Sequence, residues 1–151
     1  MIGEYAFPGG YPTAETVRQA YDDVGAGSLP CLGLREAGVY LDGGTAYTLT
    51  VPQPVPGTMF WSITVYDADT RSRNQTDQNR PALRSMFELS DLDTRTPAVL
   101  HFGPEPPDDD SAPWIKTSPG KGWFVYFRIY GPEEAAFDGS WRLPDFARTD
   151  G

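Results

Sequence analysis

The chain has 151 residues, 39% of them hydrophobic, and a formal net charge of -9 at pH 7. This length fits one domain that can bury its own core without a metal or a disulfide. Only 12 basic residues face 21 acidic ones, which opposes binding to nucleic acids and to anionic membranes because both are polyanions. We therefore expect neither of them as a partner.

The amino terminus predicts a cytoplasmic protein. Met1 leads into the sequence without the basic and apolar regions of a signal peptide. Cys31 is the single cysteine and His101 the single histidine, so an intramolecular disulfide is impossible and no metal-ligand cluster can be assembled from them. We expect no metal and no cofactor.

The first predicted element is a short helix. Thr13 can cap it and Gly25 can end it. Its apolar stripe has the spacing i, i+3, i+4, i+7 and consists of Val17, Ala20, Tyr21 and Val24. We assign residues 1–26 to a helical amino-terminal arm and residues 27–151 to one β domain.

From Val39 onward the hydrophobic period changes to two, which predicts strands. The predicted strands lie at 46–51, 59–67, 98–103 and 122–132. The sequence "VYLDGGTAYTLTV" predicts a hairpin or a tight connection between extended segments. The 15 prolines and 16 glycines favour short elements with many turns. Together these patterns predict an all-β fold.

Two polar segments separate the predicted strands. The segment "ADTRSRNQTDQNRPALRS" predicts a connection with at most one helical turn. The segment "PEPPDDDSAP" predicts an irregular loop, because proline and aspartate disfavour regular structure. Neither segment divides the chain into two β domains.

Alternation gives the strands at 59–67 and 122–132 one apolar and one polar face. The apolar face holds Met59, Trp61, Ile63, Val65, Trp123, Val125, Phe127 and Ile129. The polar face holds Ser62, Thr64, Tyr66, Tyr126, Arg128 and Tyr130. If these strands are neighbours, the second set forms a polar, aromatic surface around one guanidinium. These six residues are the candidate ligand-binding site.

Arginine and tyrosine on one surface suit a small organic anion. The guanidinium offers a rigid set of donors that matches a carboxylate or phosphate, and tyrosine rings offer apolar walls with a polar tip. The alternative is a solvated outer face, on which Arg128 stacks over a tyrosine and pairs with Asp67 or Asp69. The sequence leaves both interpretations open.

Long segments of the chain resemble a known bacterial family. The segments "YLDGGTAYTLTVPQPVP", "FWSITVYDADTRS" and "WIKTSPGKGWFVYFRIYGPE" resemble the carboxy-terminal module called domain of unknown function family 1214, over residues 27–146. The opening "FPGGYPTAETVRQAYDDV" resembles the start of family 1254, which usually precedes that module. The resemblance implies a jelly-roll β-sandwich whose members are typically exported. It supplies no established reaction and no catalytic residue.

Three functions follow from these patterns. The first is binding of a small organic ligand, without a cofactor, at the polar aromatic face. The second is a cofactor-independent enzyme in which Tyr66 or an aspartate of "YDADTRS" carries the proton and Arg128 holds the anion. The third is a structural or assembly module. A homodimer is expected as well, because most of the companion module is missing and its loss exposes apolar surface.

Overall fold

The computed structural model describes residues 40–149, and over this range the chain is all-β. Its strands are β1 (Leu41–Asp42), β2 (Tyr47–Val51), β3 (Trp61–Asp67), β4 (Ala82–Arg84), β5 (Ala98–Gly103), β6 (Trp114–Lys116), β7 (Gly122–Ile129) and β8 (Ala147–Arg148). A short 3-10 helix spans Glu134–Ala136. The predicted amino-terminal helix lies outside the described residues.

The strands form two four-stranded sheets. The first has the order β1-β7-β3-β4 and is antiparallel throughout. The second has the order β6-β5-β2-β8, in which only the β5 and β6 pair is parallel. The β3 and β7 pair is the longest and runs from Trp61 opposite Ile129 to Asp67 opposite Trp123. The two strands with the clearest alternation therefore lie side by side, as the candidate site requires.

The buried faces of the two sheets share one core. The Trp123 indole of the first sheet stacks on Phe102 of the second, with ring centroids 5.4 Å apart. Tyr47 meets the same indole edge-on at 5.8 Å. Phe146, from the carboxy-terminal tail, packs edge-on against Phe102 and Trp123 at 5.1 and 5.3 Å. Aromatic pairs in these arrangements add to the free energy gained by burying apolar area.

The connection from β1 to β2 is tight, but the two strands do not form a hairpin. β1 pairs with β7 in the first sheet, whereas β2 pairs with β5 and β8 in the second. Gly43 lies at this crossing, where an added Cβ would come within 2.1 Å of the Ser118 carbonyl oxygen. Only glycine allows this close approach of two backbones.

Two further expectations about the strands were wrong. Met59 precedes β3 and is 67% exposed, so it does not belong to the apolar face. The segment expected to connect strands contains β4, and neither β6 nor β8 was expected. These three strands have two or three residues each, which is too short for a period of two to be recognised.

Candidate functional site

The candidate site is the outer face of the first sheet. On β3, Trp61, Ile63 and Val65 point into the core with exposures of 6% or less, so Ser62, Thr64 and Tyr66 point outward. The pairing register of the strands then places the outward side chains in three rows across this face. From the β4 side to the β7 side, the rows are Arg84, Ser62, Arg128; then Ala82, Thr64, Tyr126; then Arg73, Tyr66, Phe124.

A groove of about 490 Å³ lies on this face. It exists because the short side chains of Ser62, Thr64 and Ala82 lie between longer ones. We call it the arginine groove. It is lined by Ser62, Thr64, Tyr66, Arg73, Arg80, Pro81, Ala82, Arg84, Arg128 and Tyr130. Five of the six predicted site residues line the groove, and the sixth, Tyr126, lies beside it.

The Arg128 side chain lies along the face between two tyrosines. Its Nη2 donates a hydrogen bond of 3.0 Å to the Tyr66 hydroxyl. Its Cζ lies 5.1 Å from the centre of the Tyr126 ring and 5.8 Å from that of Tyr66. No carboxylate within residues 40–149 forms an ion pair with Arg128, and Asp67 pairs with Lys121 instead. The stacking expected of a structural Arg128 is therefore present, whereas the expected ion pair with Asp67 or Asp69 is absent from this range.

The other arginines of the groove differ in how far they are neutralised. Arg84 donates to both carboxylate oxygens of Glu88, at 2.9 and 2.6 Å, while Arg80 approaches Glu88 only to 3.4 Å. The hydrogen bond from Arg84 is the main reason that the pKa of Glu88 is lowered to about 2. The Arg73 side chain has neither a hydrogen bond nor an ion pair within the described part of the chain. Glu88 therefore compensates one end of the groove only.

Sequence reasoning missed Arg73, Arg80 and Arg84, because they lie in a segment expected to be only a connection. A signal was present, since four of the 12 basic residues fall within residues 71–84. Such clustering of arginine in an acidic chain indicates a local cationic surface.

The floor and one wall of the groove hold hydroxyls that have no hydrogen-bond partner among residues 40–149. Ser62 and Thr64 are only 5% and 7% exposed, and the Tyr130 ring stacks on Phe60 with centroids 4.0 Å apart. None of the hydroxyls of Ser62, Thr64 and Tyr130 forms a hydrogen bond within residues 40–149. None of these hydroxyl oxygens is among the fully buried side-chain atoms that lack a partner in the described residues, so they are accessible from the groove and can bind a ligand or water.

Asp67, a proposed proton carrier, already has three hydrogen-bond donors from the protein around its carboxylate. Its carboxylate accepts hydrogen bonds from the backbone N–H groups of Asp69 and Thr70, each 2.9 Å long, and from Lys121 Nζ at 3.1 Å. These bonds, chiefly that from Thr70, lower the pKa of Asp67 to about 2 although burial opposes the shift. A carboxylate with this pKa stays ionised near neutral pH and is a poor general base.

A second pocket, of about 710 Å³, lies at one end of the second sheet. Its lining includes His101, Trp114 and Arg148. It also includes the carboxylates of Glu105, Asp108 and Asp109. This balance of charge does not suit an anion. No group of three or more His, Cys, Asp or Glu residues within 40–149 could hold a metal ion.

The fold and the groove define an all-β domain with a cationic outer face. The sequence model of the family described as "Protein of unknown function (DUF1214)" matches residues 32–134, and the chain belongs to this family. The resemblance to family 1214 is thereby confirmed, whereas that of the opening segment to family 1254 stays a prediction.

The fold is also found among solved structures. A similar structure is the crystal structure of the VPA0106 protein from Vibrio parahaemolyticus, with a TM-score of 0.60 and 22% sequence identity. The match covers 82% of this chain and 29% of that one, so the present chain spans less than a third of that protein's length. No curated protein matches the sequence. Among residues 40–149 no helix has the length and apolar character needed to cross a membrane.

Proposed function

We propose that the arginine groove binds a small organic anion without a cofactor. The observation that carries this proposal is the state of Arg128. Its side chain donates a hydrogen bond to the Tyr66 hydroxyl, and no carboxylate of residues 40–149 forms an ion pair with it. The remaining donors of its guanidinium can therefore pair with a carboxylate or phosphate of a ligand.

The dimensions and the lining of the groove also support this function. A volume of about 490 Å³ falls within the range of small-molecule sites in proteins. Tyr66 and Tyr130 supply apolar surface, and the hydroxyls of Ser62 and Thr64 supply polar groups on the floor. An organic anion has both an apolar body and a charged group, which matches this combination.

The test is a thermal melt of wild type and Arg128→Lys with a panel of small organic acids, followed by calorimetric titration of any acid that stabilises the wild type. Arg128→Lys keeps the charge but loses the paired hydrogen bonds, so binding should weaken by about 1–3 kcal/mol. The matched control is Arg95→Lys, because Arg95 forms an exposed ion pair with Asp93 outside the groove. A wild type that no acid stabilises would contradict the proposal.

The enzyme alternative uses the same groove, with Tyr66 as proton carrier and Arg128 as anion clamp. The 3.0 Å bond between these two side chains fits such a pair. General acid–base chemistry is most effective in a cavity that excludes water. The groove is open on the side of Arg80, whose side chain is 68% exposed. Binding is therefore the function that the geometry supports better.

The assembly alternative rests on a different surface. Met59, Met86 and Phe87 are 67%, 58% and 56% exposed. Met59 and Met86 line one pocket, and Phe87 follows Met86 in the chain, so the three define an apolar patch. Contiguous apolar patches often mark protein interfaces. We propose that a second copy of the chain covers this apolar patch in a homodimer. The jelly-roll topology and the cytoplasmic location stay predictions.

A further inference from the structure

We infer that the preferred ligand of the arginine groove carries at least two negative charges, as dicarboxylates, tricarboxylates and organic phosphates do. This inference deepens the proposed function and rests on it. Its basis is the number of uncompensated guanidiniums and their separation on the sheet.

The charge balance of the groove exceeds what one carboxylate can neutralise. The lining residues include four arginines and neither aspartate nor glutamate. Glu88, outside the lining, forms its two short hydrogen bonds with Arg84. Arg73 and Arg128 have no carboxylate partner within the described residues. A monoanion bound to one of them would leave the other uncompensated, whereas a dianion can pair with both.

Register separates these charges along the face. Arg73 lies beside Tyr66, and Arg128 lies beside Ser62, four residues away on β3. Their backbones are therefore about 13 Å apart along the strand direction. The Arg128 side chain reaches back to the Tyr66 hydroxyl, toward the row of Arg73. Both guanidiniums can thus contact one small molecule that has two charged groups.

Arg84, whose charge Glu88 compensates, borders the groove across the face. It occupies the same row as Arg128, with Ser62 between them, so the two backbones are about 10 Å apart. The short side chains of Thr64 and Ala82 occupy the next row and leave room for the body of a ligand. A long polyanion is disfavoured, because the chain as a whole carries a formal charge of -9.

The experiment is calorimetric titration of wild type at constant ionic strength with acetate, succinate, citrate, inorganic phosphate and glycerol phosphate. We expect either the multivalent carboxylates or the phosphates to bind about tenfold or more tightly than acetate. Binding by succinate and citrate alone identifies a carboxylate ligand, and binding by the phosphates alone identifies a phosphorylated one. Both results support the inference.

Arg73→Gln provides the second measurement, with Arg95→Gln as its control. Arg73 is exposed, so its replacement should leave the melting temperature unchanged. It should reduce the affinity for the multivalent probe about tenfold and that for acetate by a clearly smaller factor, because a monoanion can still pair with Arg128. Acetate binding as tightly as succinate, citrate and the phosphates would overturn the inference while the proposed function stands. Absence of binding by every probe would overturn both.

Discussion

Asp67 stabilises the turn that follows β3. The residue is 5% exposed, and its carboxylate accepts two hydrogen bonds from backbone N–H groups and one from Lys121. Since its pKa falls from 3.8 to about 2 on folding, the ionised form is more stable in the folded protein than in the unfolded chain. At residue scale this is the clearest link between one side chain and the stability of the fold.

We predict that Asp67→Asn lowers the free energy of unfolding by about 1–3 kcal/mol at neutral pH, because it removes the charge opposite Lys121. Urea melts measure the change. Asp93→Asn is the control, since Asp93 pairs with Arg95 at the surface and its loss should cost less than about 1 kcal/mol.

The pH dependence of this difference has a definite sign. Because the pKa of Asp67 is lowered in the folded state, its carboxylate stabilises the fold fully at pH values above the unfolded pKa of 3.8. This stabilisation is lost as the pH falls toward 2. The gap between wild type and Asp67→Asn should therefore narrow between about pH 5 and about pH 2. Glu88 also titrates in this range, but it does so in both proteins, so its contribution cancels in the difference between wild type and Asp67→Asn. A gap that stays constant over this range would contradict the assignment.

At the scale of elements, β4 both closes the core and forms one wall of the groove. Leu83 is 6% exposed and packs in the core, while Ala82 and Arg84 face outward. A three-residue strand can serve both surfaces because successive side chains point in opposite directions. The two surfaces can therefore be tested separately by substitutions at neighbouring positions.

We predict that Ala82→Phe fills the groove and abolishes binding of the acid that stabilises the wild type, with little change in melting temperature. Leu83→Ala should instead destabilise the fold by about 2–5 kcal/mol, because it leaves a cavity in the core. Thermal melts and calorimetric titration measure both effects. Val99→Phe is the matched control, since Val99 is 44% exposed on the second sheet. Undiminished binding by Ala82→Phe would place the ligand elsewhere.

The strands that sequence could predict are those long enough to show alternation. β3, β5 and β7 have six to eight residues, and the face on which Arg128 lies follows directly from the pattern. The arginines that share the groove with Arg128 do not follow from the pattern. Arg84 reaches the groove because β4 pairs with β3, and Arg73 reaches it through an isolated bridge to Tyr66 outside the named strands. The residues of a strand show its alternation, but they do not show which strand pairs with it in the sheet.

At the scale of the whole molecule, the apolar patch of Met59, Met86 and Phe87 predicts self-association. We expect light scattering at micromolar concentration to show a dimer. Met86→Glu should shift it to a monomer, because burying an unpaired carboxylate in an apolar interface is costly. Val99→Glu, on the second sheet, should leave the dimer intact. A monodisperse wild-type monomer under these conditions would contradict the prediction.

Several residues that line the arginine groove can change without loss of the fold, which affects how the ligands of this family can diverge. Arg73, Arg80 and Ala82 contribute their side chains to the groove, and none of them belongs to the buried core cluster. Substitutions there are expected to change stability little, since large losses arise mainly from buried positions. Natural selection can therefore exchange one ligand for another through successive viable mutations, while the strands beneath keep the same fold.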